Sequence, residues 1–138
     1  MRRVSLKRTK HNRAVQPLRD AYRAEFPKCQ VPWCRAAATE LHELARGAGR
    51  KAALGVRAAW LHLCAFDHRQ MDVLPVAGQL ALKKLSDPKG YSRRRVNELR
   101  GRQPDAITAR EVRVWTKRFE NSETSPMKTV AGSGKLWK

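Results

Sequence analysis

Three cysteines and a short series of histidines and acids are where this chain gathers groups able to bind a metal or move a proton. Cys29 and Cys34, in CQVPWC, are separated by four residues, within the spacing of zinc ligand pairs. Cys64 stands three residues before Asp67 in CAFDHRQMD, so this run offers a third and fourth ligand, with His68 as the alternative to Asp67. An odd number of cysteines argues against a disulfide framework, and clustered thiols in a reducing compartment more often serve as thiolate ligands. The competing role for all three is that of small buried apolar side chains.

A second set remains once those four are assigned. His68 and Asp72 are four residues apart, which on a helix puts both on one face, as two ligands of one ion require. His42 arrives from an upstream strand with Glu43 beside it. Of the chain's 12 acidic residues, Glu40, Glu43, Asp67 and Asp72 fall in these two short runs. Taken singly, each is also what an exposed strand or helix face carries; their joint placement beside a zinc-type knuckle favours a site. His11 falls in a basic arm and reads as solvated. His62 alternates with Leu61 and Leu63 and is expected to face away from them, at the surface or against nucleic acid.

Positioning these residues takes two strands and a helix. TELHEL, 39–44, and AWLHL, 59–63, read as half-buried strands. A Gly-, Ala- and Arg-rich connection joins them, and a helix is expected from Cys64 to about Leu74. So small a unit has little core and benefits from a metal staple. Around it, residues 1–13 carry six Lys or Arg and read as a flexible basic arm. Residues 14–26 form a short helix with Val15, Leu18, Tyr22 and Phe26 on one face, stopped by Pro27. The core then spans 14–75 and a helical extension 76–120, with 121–138 as a disordered Ser-, Gly- and Lys-rich tail. Within the extension, VAGQLALKKL is a short helix, and SDP at 86–88 reads as the cap and first turn of another. Arg93, Arg94 and Arg95 precede the apolar Val96 and Leu99. Thr108 and Glu111 have capping-box spacing ahead of Val112, Trp115 and Phe119.

The whole chain of 138 residues carries 30 Lys or Arg against 12 Asp or Glu, a net charge of +18. Such a charge repels itself and calls for a polyanionic partner, with nucleic acid ahead of an acidic membrane surface. No apolar run of about 18 residues could span a bilayer, and the basic N-terminus lacks the apolar core of a secretory signal. A soluble, intracellular protein is the expectation.

The order CQVPWC, ELHEL, RG, AWLHLCAFDHRQMD resembles the HNH endonucleases, specifically the zinc-containing ββα-metal kind common in phages and mobile elements. The resemblance covers residues 29–72, about a third of the chain. It implies an α+β fold, a small zinc-stapled ββα-metal core with flanking helices and basic tails. Carried over by position, Cys29, Cys34, Cys64 and Asp67 fall on the structural zinc ligands. His42, His68 and Asp72 fall on the ligands of a catalytic divalent ion, magnesium or manganese. Glu43 stands where the family has its water-activating histidine, and a carboxylate's reference pKa is roughly two units below imidazole's. The family's middle asparagine, which helps hold the active-site loop, is replaced in the region of Ala59 and Trp60. The resemblance implies a metal-dependent DNA endonuclease acting on double-stranded or branched substrates in the cytoplasm of a bacterial host, phage-encoded or not, without a membrane partner. Homodimers are frequent among relatives. Arg46, Arg50, Arg93, Arg94 and Arg95 would contact the DNA backbone. The alternative is a zinc-stabilised DNA-binding protein on the same scaffold, weak or inactive in cleavage.

Overall fold

The computed structural model describes residues 6–45 and 50–123. Within them the fold is mixed α+β, two antiparallel strands among several helices.

Helix α1 runs Leu6–Glu25, longer than the short helix expected, so residues 6–13 of the presumed arm are its first two turns. The physical reason is composition: from Leu6 to Gln16 there is neither Gly nor Pro, and Leu, Lys and Arg are strong helix formers. A helix anchored at its far end propagates back through such residues at little cost. Pro17 sits inside it. The anchor is Tyr22, 2% exposed, whereas Leu18, expected on the same buried face, is 55% exposed.

Strands β1 (Glu40–Glu43) and β2 (Trp60–Leu63) pair antiparallel, with His42 opposite Leu61 and Glu43 opposite Trp60. Because side chains alternate, Glu40 and His42 share a face with Leu61 and Leu63, and Glu43 shares the other with Trp60. Helix α2 (Arg50–Ala53) and a 3-10 turn (Arg57–Ala59) occupy the connection. The Trp60 indole donates to Ala53 O at 3.1 Å, tying that connection down from the position where a tether had been expected to be missing.

All four residues of β2 are buried, His62 included. This corrects the expectation of a surface histidine: the segment from Phe26 to Gln30 covers the second face of the strand. His62 Nδ1 meets Phe26 O at 2.7 Å, and the backbone N–H groups of His62 and Gln30 are both satisfied across the contact.

Helix α3 (Ala65–Gln70) follows β2 directly and is shorter than expected, the chain continuing as turns through Val73. Helix α4 (Val76–Ser86) is buried over most of its circumference and packs chiefly on α6 (Ala109–Glu123). A Cβ at Gly78 would lie 2.6 Å from Leu74 and 3.3 Å from Trp115, so this crossing depends on the missing side chain. SDP does not start a helix. Ser86 ends α4 and Asp87 caps it, taking the Gly90 N–H at 3.1 Å; Ser92 is the cap of α5 (Arg93–Leu99). The capping box before α6 is formed, Glu111 N–H to Thr108 Oγ1 at 3.1 Å and Thr108 N–H to Glu111 Oε1 at 3.4 Å.

The larger core joins Leu61 and Leu63 to Met71, Leu80, Leu82, Val96, Val112 and Phe119. A smaller one gathers Tyr22, Ala53, Trp60 and Leu99 on the sheet's other face. Among the described residues, no helix is long and apolar enough to cross a membrane.

Candidate metal centre and the histidine pair beside it

CQVPWC folds back on itself. Cys34 N–H donates to Val31 O at 2.8 Å, a turn with Pro32 at the position proline prefers, and Cys29 N–H donates to Ala36 O at 2.9 Å. Both thiols thereby point at the start of α3. There Cys64 is the N-cap and Asp67 lies in the first turn, its N–H aimed at Cys64 Sγ at 3.4 Å. The three-residue spacing that makes a cap is thus the spacing that brings these two donors together.

The four side chains form one cluster. Asp67 Oδ2 lies 3.1 Å from Cys29 Sγ and 3.3 Å from Cys64 Sγ; Cys34 and Cys64 sulfurs are 3.9 Å apart; all four donor atoms fall within 4.8 Å of one another. For a tetrahedral zinc with Zn–S of about 2.3 Å, sulfurs should be roughly 3.8 Å apart and sulfur to oxygen about 3.5 Å. The donor set and its dimensions therefore fit zinc. Burial pushes the Cys29 thiol well above its ordinary range and the Cys34 thiol up to about 11. Without a cation these thiols hold their protons; a divalent cation reverses that by stabilising the thiolates. Asp67, at 3% exposure, is the fourth member of this cluster, and His68 is not in it.

His68 instead turns toward β1, its Nδ1 2.9 Å from Glu40 Oε1 and its ring edge-on to His42, centroids 5.2 Å apart. His42 is 2% exposed, with Nε2 2.7 Å from Gln79 Oε1. The Gln79 amide also donates Nε2–H to Met71 O at 3.1 Å and Leu74 O at 2.9 Å. Carbonyls only accept, so the Gln79 oxygen must face His42, and His42 must be the Nε2–H tautomer with its acceptor at Nδ1. By the same reasoning the Glu40 carboxylate takes the Nδ1–H of His68, the arrangement found in carboxylate-paired metal histidines. Neither Gln79 nor Glu40 stood out as support from the sequence. A glutamine inside the apolar run VAGQLALKKL was the available signal for the first.

Asp72 does not join the two histidines. Since α3 stops at Gln70 and Asp72 N–H bonds Arg69 O at 3.3 Å, the i to i+4 geometry that would align Asp72 with His68 is lost. Among the described residues, His42, His68 and Asp72 are not gathered to ligand distance. Asp72 and Glu43 instead line a cleft of about 430 Å³ together with Met71, Gln79, Arg100 and Arg102. Glu43, adjacent to His42 in the strand, points to the other face and pairs with Arg19 at 3.2 Å.

Of the expected backbone-contacting arginines, Arg46 lies outside the described residues, and for Arg50 only the backbone is described. Arg93 is occupied internally, donating to Pro104 O at 3.1 Å and Ile107 O at 2.7 Å and pairing with Asp105 at 2.9 Å. Its role is to hold the turn before α6. Arg94 is exposed, and Arg95 pairs with Glu98 at 3.3 Å on the surface.

A buried polar network also escaped the sequence. Lys83 is 0% exposed, its three ammonium donors shared among four acceptors at 2.7–2.9 Å, Tyr22 Oη, Arg57 O, Trp60 O and Asp87 Oδ2. Burial pulls its pKa down to about 8, against the pull of Asp87. Arg57 closes the network, bonding Asp87 at 2.9 Å and Glu25 at 2.6 Å. These contacts lock α1, β2 and α4 behind the sheet that carries the histidines. No family model, curated protein or solved structure matches this chain.

Proposed function

We propose that this protein is a metal-dependent DNA endonuclease of the HNH type, hydrolysing phosphodiester bonds on a zinc-stapled ββα-metal core. The observation that carries the reading is the convergence of His42 from β1 and His68 from α3, ring centroids 5.2 Å apart, beside the Cys29, Cys34, Cys64 and Asp67 cluster. The order strand, strand, helix, with three thiols gathered at the helix start, supports this reading.

In this reading the zinc would be structural, and His42 and His68 would hold a magnesium or manganese ion. Such an ion would supply positive charge at the scissile phosphate. Gln79 and Glu40 orient the two rings. The water oxygen bonds to phosphorus as the P–O bond to the leaving oxygen breaks; Glu43, on the opposite face of β1 from His42 and paired with Arg19, would serve as base only after leaving that pair. Asp72, across the cleft, orients that water. The net charge of +18 supports a polyanionic substrate.

The test is nicking of supercoiled plasmid by the zinc-loaded protein with magnesium or manganese. Open circles should appear, and both His42→Ala and His68→Ala should abolish them. A second reading, binding without cleavage, draws on the partners already held by the site: Gln79 on His42, Arg19 on Glu43 and Glu40 on His68. Absence of nicking with every ion, alongside retained DNA binding, would select it.

A further inference from the structure

We propose that the turn Arg100–Gly101–Arg102 is a clamp for a DNA backbone phosphate in the cleft that Glu43 and Asp72 line. The proposal rests on the nuclease reading for its substrate but concerns residues that reading does not use.

The turn is built rather than incidental. At the end of α5, Gly101 N–H donates to Glu98 O and Arg102 N–H to Asn97 O, both at 2.9 Å, the paired bonds of a Schellman motif. Gly101 has φ of 69°, and a Cβ there would meet nothing within 4 Å, so glycine is required for backbone conformation rather than for space. The motif is anchored from beneath by Asn97, 0% exposed, whose amide bonds Pro104 O at 2.8 Å and Ile107 O at 3.1 Å and accepts the Ile107 N–H at 3.2 Å. The two arginines on either side of Gly101 are therefore carried on a fixed backbone, and both line the cleft.

No carboxylate pairs directly with either guanidinium among the described residues, although Glu43 and Asp72 line the same cleft. Arg19, Arg57, Arg93 and Arg95 each have a carboxylate partner, whereas neither the Arg100 nor the Arg102 side chain forms an ion pair or hydrogen bond there. Arg100 is half-buried, and burial together with the neighbouring Arg102 charge lowers its pKa. Two unpaired guanidiniums in one groove are a destabilising arrangement that an anion relieves, and guanidinium geometry suits the paired oxygens of a phosphate. Glu43 and Asp72 on the same cleft repel such an anion and so set it against the arginines. The open cleft and the net charge of +18 point to a long polyanion rather than a small one.

The experiment is the salt dependence of binding to a short DNA duplex, measured by fluorescence anisotropy with zinc-loaded full chain and no magnesium or manganese. Two lost phosphate contacts should reduce the slope of log K against log salt by about 1.8, or about 12-fold in affinity change between about 50 and 200 mM. Arg100→Gln with Arg102→Gln should show that reduction, and Arg100→Lys with Arg102→Lys should restore the slope. Arg110→Gln with Arg113→Gln, exposed on α6, should cost less. An unchanged slope, a loss equalled by the α6 pair, or failure of lysine to restore it overturns the clamp. Wild-type protein that does not bind duplex DNA overturns it too, and a steeper slope on RNA duplex overturns DNA as the occupant. Because binding is read without cleavage, a protein that shows the slope change but never nicks retains the clamp and loses the hydrolase reading. Nicking without a slope change has the reverse meaning.

Discussion

Asp67 is the residue on which the candidate metal centre turns. It is 3% exposed, and its Oδ2 accepts from two thiols at 3.1 and 3.3 Å, contacts that a divalent cation would replace with bonds to itself. Asp67→Ala should reduce bound zinc from one equivalent to substoichiometric, measured by elemental analysis, and lower the melting temperature by about 10 °C or more, since structural zinc contributes to folding outright. Retention of a full equivalent would remove Asp67 from the site. Gln79 is the other telling residue: its three hydrogen bonds hold His42 in one tautomer and satisfy two carbonyls. Gln79→Leu leaves these groups unpaired and should cost about 2–4 kcal/mol in urea denaturation. The run around CAFDHRQMD was legible because ligand chemistry resides in residue type and short spacing. Gln79 was not, since its partners lie 5, 8 and 37 residues away.

At the scale of elements, α1, β2 and α4 are joined by the Lys83 and Asp87 network. Burial raises the Asp87 carboxyl, but the bonds from Arg57 and Lys83 outweigh it and hold the group down at about 2. A carboxyl depressed in the folded state contributes stability that is complete above its unfolded value and lost as pH falls toward the folded one. Between pH 3.8 and about 2 the protein should therefore lose about 2 kcal/mol through Asp87. Urea midpoints at both pH values, compared with Asp87→Asn, check this; the substitution should remove that increment and be less stable at pH 7. The elements themselves were readable to different depths. Strand alternation and the Thr108–Glu111 box located β1, β2 and α6. The helix over 6–13 was hidden because its polar face resembles a solvated arm, and α3 came out short because turns after Gln70 cost little in a segment without a long apolar face.

At the scale of the molecule, 30 basic residues act on a chain whose smaller core relies on α1 docking and whose larger core abuts the thiol cluster. Stripping zinc with a strong chelator should release the start of α3 from CQVPWC and cause cooperative loss of structure, seen as a fall in melting temperature that added zinc reverses. A chelated protein that melts unchanged would show that the cores suffice without the staple. The whole-chain charge was fully legible beforehand, because it is a sum over residue types. Which arginines are available was not: Arg93 proved to be internal, while Arg100 and Arg102 emerged only when α5 ended in a Schellman turn beside the cleft.

The sequence by itself determined the chemistry on offer: four donors of zinc type, two histidines and two acids in two short runs, and a net charge of +18. These follow from side-chain type and local periodicity, which no fold can alter. Only the tertiary structure decided the grouping. It placed Asp67 with the thiols and His68 with His42, turned Glu43 to the opposite face of β1, and left Asp72 across the cleft, because packing of α3 and α4 on the hairpin sets distances between residues far apart in the chain. That is why the three thiols of the cluster could be anticipated, while the choice of Asp67 over His68 as its fourth member, and the separation of the histidine pair from the cleft, came only with the fold.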